Sequence, residues 1–447
     1  MGDDLEQLGA RVVEAARKQG ADVAEALVRA HRELSVRVRK GDVEMVEEAA
    51  SRGIGLRVFV GDRSGSMATS DLTDTGLETL VEGALEVAKH SEPDPDARPP
   101  ETHAFGQPDL DLLDRSLEDF GARDAEALAR EAESAAFAVS DRITNSEGAS
   151  CGRVVGGVAL VTSQGFSGLY EGSRVSIGVQ PVAPDGDKLR TAADWDARRF
   201  RHALRSPEAI GKEAGERVVA KLGASKIESQ QLPVIFHPDA GRALLSALFG
   251  CISGSAVYRR STYLADREGT PVAAEGVNVV DDPLIPRGPA SRPFDGEGFA
   301  SRKNVVISGG TLKTFLLDTY SARKLQRLST ASASRGLTGR PSPSATNFVL
   351  QPGELSPEAI VRDTPKGLYV TSMMGFGFNP VTGDFSRGAE GFLIENGQIS
   401  QPVSEITIGV NFDDLWKGID AIGSDLDLKT GTATPTFRVR QMTVAGT

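Results

Sequence analysis

The spacing of apolar residues divides the first half of the chain into helices and antiparallel strands. Apolar side chains recur at helical spacing from Leu5 to Ala16, and Gly20 follows, which predicts a helix over 5–19. The same reasoning predicts further helices over 75–90, 122–141 and 206–222. Alternating apolar and polar positions predict strands over 22–29, 33–40, 53–60, 143–149, 154–163 and 166–182. This order of elements predicts an N-terminal α+β domain.

The second half of the chain is dense in turns and short strands. An apolar strand over 234–236 leads directly into a helix that ends near Phe249, and a hairpin joins 303–307 to 311–315. A short helix is predicted over 318–327, with later strands over 347–351, 367–371, 391–395, 398–408 and 437–444. The pattern predicts an α+β protein whose C-terminal domain is β-rich, with a curved antiparallel sheet. A linker at 230–233 sets the domain boundaries at 1–228 and 229–447.

Three polar segments are predicted to lie outside these elements. Residues 91–108 are rich in Pro, Asp and Glu, which predicts a surface loop. The charged stretch 185–201 is interpreted as a solvated loop or strand edge. Residues 329–344 are rich in Ser, Gly and Pro and include Arg335 and Arg340, so a mobile or ligand-facing loop is expected there.

Composition narrows the choice of function class. The 447 residues are too many for one compact core, and the net charge of -12 without any Lys/Arg run argues against a nucleic-acid partner. No apolar run approaches the ~20 residues that a membrane-spanning helix needs. The acidic N-terminus does not resemble a secretory signal, and the two cysteines form no C-x-x-C pair. We therefore expect a cytoplasmic protein with no membrane partner.

Several sequence blocks resemble the TldD/PmbA family of modulators and peptidases. In the second half they are 377–386, 391–397, 402–408 and 442–446, and weaker matches begin at Gly53 in the same order. One branch of that family, TldD, is a zinc peptidase, and the other, PmbA or TldE, is its metal-free partner. Residues 406–411 and the terminal Val-Ala-Gly look like the PmbA branch. The resemblance implies a heterodimer that cleaves unfolded peptides.

The resemblance also identifies a degenerate zinc helix. His237 stands where the TldD branch begins an H-E-x-x-x-H motif, but Pro238 replaces the Glu and Arg242 replaces the second His. A zinc peptidase needs three protein ligands and a carboxylate base, and a guanidinium cannot ligate a metal. The third ligand of the TldD branch is a cysteine near the C-terminus, whereas Cys151 and Cys251 lie earlier in this chain. We expect no catalytic residue and no cofactor in this chain, with zinc in a TldD-like partner.

Other chemistry at these residues has weaker support. His237, Pro238 and Asp239 suit a strand-to-helix junction, because proline and an acidic residue both favour the first turn. Cys251 lies fourteen positions beyond His237, about 21 Å along one helix, so the two cannot act together within it. An unrecognised hydrolase with paired carboxylates is a further possibility, using Asp295 and Glu297 or Asp413 and Asp414.

A glycine-rich loop is the predicted peptide-binding groove. Its glycines let the backbone approach a ligand, and its aromatic and Met side chains can contact apolar peptide groups. The groove residues are Met374, Gly375, Phe376, Gly377, Phe378, Asn379, Gly383 and Asp384. The alternative is a structural loop whose aromatic residues cap the sheet. An open sheet edge would also bind peptides with little dependence on their sequence.

Two hypotheses of function follow. In the first, the chain is a non-catalytic PmbA/TldE-type subunit of a cytoplasmic metallopeptidase complex that degrades or processes unfolded peptides. In the second, it is a peptide-binding or scaffold homodimer without an enzymatic partner.

Overall fold

The computed structural model describes residues 2–100 and 108–446. Residues 101–107 of the loop predicted at 91–108, His103 among them, lie outside the described residues. Within the described part, no helix is long and apolar enough to cross a membrane.

The N-terminal half pairs a large antiparallel sheet with four α-helices of the described residues. The helices are α1 Gly2–Lys18, α2 Asp74–His90, α3 Ala122–Ala138 and α4 Pro207–Ala220. The strands are β1 Val23–Arg39, β2 Asp42–Val60, β3 Arg63–Thr69, β4 Asn145–Thr162, β5 Ser167–Asp185, β6 Lys188–Thr191 and β7 Asp194–Arg198. Their order is β3-β2-β1-β4-β5-β6, and β7 also pairs with β5.

The predicted strands 22–29 and 33–40 are one continuous strand, β1. The predicted break fails because Ala30 pairs with Arg52 of β2 and with Gly157 of β4, so the ladder continues through it. The neighbouring Gly156 has a role here, since a Cβ at that position would lie 2.4 Å from the Ala30 carbonyl oxygen. The strand is therefore continuous, although the alternation of apolar and polar residues in the sequence is interrupted between 29 and 33.

The prediction that 185–201 is a solvated loop or strand edge agrees with 186–189, which are exposed and lead into the edge strand β6, but it is wrong for β7. Asp194 and Asp196 are completely buried on β7. Arg205 pairs with Asp194 at 2.6 Å, and Arg198 pairs with Asp196 at 2.9 Å. Carboxylates can be buried in a packed strand when they are paired with arginine. The prediction was wrong here because it took charged residues to be exposed.

The C-terminal half is β-rich, which confirms the predicted fold class. Its helices are α5 Pro238–Ile252, α6 Gly254–Tyr258, α7 Thr319–Lys324, α8 Pro357–Arg362 and α9 Phe412–Lys417. Its strands are β8 Gln230–Phe236, β9 Val279–Asp281, β10 Asn304–Ser308, β11 Thr311–Leu312, β12 Ala333–Ser334, β13 Ser342–Pro343, β14 Phe348–Leu350, β15 Lys366–Met374, β16 Asp384–Glu395, β17 Gln398–Asn411, β18 Ile419–Ile422, β19 Thr432–Ala433 and β20 Phe437–Ala445.

The main C-terminal sheet curls back on itself. Its order is β17-β16-β15-β8-β20-β18, and β17 pairs with β20 as well. Most of these pairs are antiparallel, but β8 and β15 run parallel, with Val234 opposite Leu368. Inside the curve, Phe236 stacks on Phe437 at 5.2 Å between ring centroids, and Trp416 lies against the same ring at 6.4 Å. This aromatic core fixes the end of β8, where α5 begins.

The segment 329–344 packs against the N-terminal sheet, and the prediction of a mobile or ligand-facing loop is wrong at Arg335. Arg335 is buried, and its Nη1 lies 2.7 Å from Oε2 of Glu25 on β1. A Cβ on Gly55 of β2 would lie 1.8 Å from the Leu337 carbonyl oxygen, so the segment packs directly on the sheet. Arg340 is exposed and lies over the Tyr320 ring at 4.3 Å.

Candidate functional site

His237 forms the junction between β8 and α5. It is the N-cap of α5, and its Nδ1 accepts a hydrogen bond from the Asp239 backbone N–H at 3.1 Å. Its own backbone N–H donates to the Val370 carbonyl at 2.9 Å, which ties the junction to β15. Pro238 occupies the first helical position, where no N–H is needed. These contacts form the strand-to-helix junction that the sequence suggested.

The surroundings of the His237 ring disfavour its charged form. Burial lowers its pKa, and the nearby Asp239 carboxylate only partly opposes that effect. Because Nδ1 is a hydrogen-bond acceptor, the single proton of the neutral ring is on Nε2. The ring meets Tyr369 edge-on, with 6.3 Å between centroids.

The degenerate zinc helix lines two cavities between the N-terminal and C-terminal halves. The larger cavity has a volume of about 590 Å³, and its walls come from β7, α4, α5, β15, β16 and β17. The smaller has a volume of about 170 Å³ and is closed by residues 425–434. Both cavities are lined by Trp195, Arg217, His237, Asp239 and Arg242. The structure therefore brings His237 and Arg242 together on one cavity wall, and Pro238 joins them in the smaller cavity.

Arg242 is a prominent cation of this wall. Its guanidinium carbon lies 5.6 Å from the centroid of the Trp195 ring, a cation–π distance. Lys429 approaches the same ring at 5.4 Å, and its Nζ donates to the Trp195 carbonyl at 3.1 Å. Arg217 is held by Glu213 at 2.8 Å and by Asp194 at 3.5 Å.

The cysteines lie away from these cavities. Cys151 is on β4 and Cys251 is in the last turn of α5, and both are buried. Burial raises the pKa of each thiol to about 12, so both are protonated at neutral pH. Cys251 lines neither cavity beside His237.

The carboxylates of Asp295 and Glu297 accept hydrogen bonds from neighbouring residues of the protein. Asp295 is buried and accepts N–H bonds from Glu297, Phe299 and Ala333, while Glu297 accepts both the N–H and the hydroxyl of Thr319. Burial and the charge of Asp295 raise the pKa of Glu297 to about 8. Neither side chain lines a cavity beside His237.

Asp413 and Asp414 open α9. Asp413 pairs with Lys417 at 2.6 Å and with Arg267 at 3.4 Å. These contacts stabilise the first turn of a short helix and give no arrangement of a catalytic acid with a base.

The predicted groove residues form the hairpin between β15 and β16. Gly375 and Gly383 have φ values of 76° and 80°, which a residue with a side chain rarely adopts. Inside the hairpin, the Gly383 N–H donates to the Asn379 carbonyl at 2.8 Å. Phe378 packs on Phe412 with 4.5 Å between centroids, so this aromatic residue caps the sheet as the alternative interpretation proposed.

The outer side of the hairpin is exposed. Phe376 is fully exposed, and Met374 is 48% exposed. Among the described residues of the hairpin, 374–384, none lines a cavity beside His237. The two parts of the predicted site are therefore separate, and β15 and β16 run from one to the other.

Sequence reasoning missed the aromatic wall of the larger cavity. Trp195 lies in the segment that was interpreted as solvated, and Tyr369 and Phe392 come from strands predicted only as structural elements. A signal was present, since Asp194-Trp-Asp alternates as a strand does, with an aromatic residue on one face.

Comparison with known proteins identifies three family regions along the chain. They are the PmbA/TldA metallopeptidase domain 1 at 24–88, the central domain at 115–222 and the C-terminal domain at 229–446. Metalloprotease PmbA of Escherichia coli O157:H7 is 34% identical over 95% of this chain and 93% of its own length. A PmbA homologue of Haemophilus influenzae is also 34% identical, over 99% of this chain and 96% of its own.

Solved structures share the whole fold. A Bacteroides thetaiotaomicron protein described as a modulator of DNA gyrase superposes with a TM-score of 0.93 at 26% identity, covering 100% of this chain and 99% of its own. TldE from Thermococcus kodakarensis gives 0.90 at 22% identity, covering 98% of this chain and 100% of its own. The second similarity concerns the fold alone.

Proposed function

The chain belongs to the PmbA/TldD metallopeptidase family, and we propose that within it the chain is a metal-free, TldE-type subunit. In this proposal, a TldD-like chain supplies zinc and the catalytic base, and the two chains together cleave unfolded peptides in the cytoplasm. The subunit described here shapes the space in which the peptide is held.

The observation that carries the proposal is the set of contacts at the degenerate zinc helix, which do not fit zinc. Nδ1 of His237 is already bound by the Asp239 N–H. Pro238 has no group to accept a proton from water, and Arg242 places a permanent cation where a second ligand would be. Among the described residues, no cluster of three His, Cys, Asp or Glu side chains is arranged to hold a metal ion.

The exposed hairpin supports a role in peptide handling. Phe376 and Met374 present apolar surface beside the edge of the hairpin. Exposed aromatic and Met side chains can contact many different apolar groups, as an unfolded substrate would require.

The experiment is reconstitution with a TldD-like chain. The chain alone should not cleave a fluorogenic unstructured peptide, and the mixed pair should cleave it. Replacing a zinc-ligating His of the partner should abolish that activity, whereas His237→Ala in this chain should leave cleavage that still requires the partner's zinc. Peptidase activity of the lone chain, lost in His237→Ala, would refute the proposal. A stable homodimer that binds peptide and ignores the partner would favour the scaffold hypothesis instead.

A further inference from the structure

We propose that the larger cavity beside the degenerate zinc helix binds the C-terminal end of a peptide, with Arg242 holding the terminal carboxylate. The inference rests on the proposed function, because it assigns the cavity a ligand other than a metal ion. It adds a substrate feature, a free carboxylate next to an apolar side chain.

The first observation concerns the ion pairing of Arg242. The other cations of the larger cavity are paired, Arg217 with Glu213 at 2.8 Å and Lys221 with Glu390 at 3.1 Å. Among the described residues, no carboxylate lies within ion-pairing distance of the Arg242 guanidinium, whose recorded contact is the Trp195 ring. A guanidinium that keeps its donors free in a cavity can bind a carboxylate through two parallel N–H bonds.

Carboxylates that line the cavities together with Arg242 are already engaged by other groups, so they do not substitute for a ligand. Asp427 accepts two bonds from Arg198, at 2.7 and 2.9 Å, and Asp425 accepts the N–H and the hydroxyl of Thr436. Asp239 lies 3.6 Å from Arg217.

The formal charges of the larger cavity balance. Its basic residues are Arg217, Lys221 and Arg242, and its acidic residues are Glu213, Glu216 and Asp239. Recognition of an anion here therefore depends on the free donors of Arg242 rather than on an overall positive field. This arrangement favours a ligand held by short-range hydrogen bonds over a diffusely attracted polyanion.

The apolar wall is the second, independent observation. Tyr369, Phe392 and Ile399 line the larger cavity together with Ala192, Ala193 and Ala220. Ile399 is 49% exposed, so this wall is open to solvent. The volume of about 590 Å³ is within the range of small-ligand pockets and accommodates a short peptide end. A free phosphate would use Arg242 and leave this wall empty.

The test measures binding of two matched peptides to the full chain in the presence of a chelator. The probes are N-acetyl-Ala-Ala-Phe with a free carboxylate and the same peptide as a C-terminal amide. Trp195 lies beside the cavity and reports binding by its fluorescence, whereas Trp416 is buried in the core. The free acid should bind about tenfold or more tightly than the amide, since bonds to a charged partner are the stronger class.

Two substitutions assign the effect to Arg242. Arg242→Gln should abolish the preference for the free acid, and Arg242→Lys should restore part of it, which a purely structural role would not do. Lys313→Gln is the matched control, because it removes one cation from an exposed position just after β11, outside both cavities. Thermal unfolding of each variant establishes that it is folded.

The outcomes separate this inference from the proposed function. Equal binding of the acid and the amide, or an unchanged preference in Arg242→Gln, overturns the inference and leaves the metal-free role intact. Competition by inorganic phosphate as strong as that by the peptide acid also overturns it, because the apolar wall would then contribute nothing. Zinc uptake with peptide cleavage by the lone chain would overturn the proposed function itself.

Discussion

Removing the buried arginine that links the two halves should destabilise the protein strongly. In Arg335→Met, the Glu25 carboxylate loses the guanidinium that lies 2.7 Å from it. The side chains of Arg335 and Glu25 are only 3% and 2% exposed, so water does not replace the lost partner. Breaking a buried ion pair by removing one partner costs about 3–5 kcal/mol. Arg57 lies 3.9 Å from the same Glu25 oxygen and retains some of the attraction, so we expect about 3 kcal/mol.

Urea unfolding of four proteins measures this effect: the wild type, Arg335→Met, Glu25→Gln and the double variant. The double variant should be more stable than the sum of the single losses allows, because neither member of the Glu25–Arg335 pair is left as a lone charge. Arg57 loses its 3.9 Å contact with Glu25 and keeps its hydrogen bond to the Ala97 carbonyl. Arg340→Met is the matched control from the same segment. Arg340 is exposed over the Tyr320 ring, and its loss should cost about 1 kcal/mol or less. A loss in Arg335→Met no larger than that of the control, or strictly additive effects, would refute the reasoning.

Three other predictions concern stability and the hairpin. The pKa of Glu297 is raised from 4.5 to about 8, so the folded chain keeps a proton that the unfolded chain releases, and stability falls as pH rises between these values. The urea midpoint of Glu297→Gln should therefore change less between pH 5 and pH 8 than that of the wild type. The same dependence of the midpoint on pH in both proteins would contradict this. A Cβ on Gly377 would lie 1.6 Å from the Ser386 carbonyl oxygen. Gly377→Ala should therefore lower the free energy of unfolding by about 1–3 kcal/mol and lower the melting temperature with it. Gly250→Ala has open space on α5 and should be neutral or stabilising by about 0.5–1 kcal/mol; equal losses in the two would count against the hairpin geometry. Phe376→Ala should leave the melting temperature unchanged and weaken binding of an unstructured peptide, measured by fluorescence anisotropy.

Local pattern was sufficient to predict much of the fold. Apolar spacing indicated α1, α2 and α4 and most strands, because each of these elements buries one face whose period is visible in the sequence. Two of the failures have a common cause. β7 and the Arg335 segment carry charges that are neutralised by partners outside those segments, Arg205 for Asp194 and Glu25 for Arg335. A single sequence without its contacts gives no sign of that pairing.

The candidate site was only partly predictable, because only part of it lies within one continuous stretch of sequence. His237 and Arg242 were identified through the resemblance to a family zinc motif, which is contained within one turn and a half of helix. The aromatic wall around them comes from Trp195 on β7 and from Tyr369 and Phe392 on β15 and β16, which meet only in the folded protein. The cavity is therefore a property of the packing between the two halves.

The most direct test of the central claim is the zinc content of the purified lone chain after incubation with excess zinc and gel filtration. We predict no stoichiometric zinc, because His237 Nδ1 is bound to the Asp239 N–H and Arg242 stands in place of a ligand. Stoichiometric zinc that disappears in His237→Ala would contradict the account.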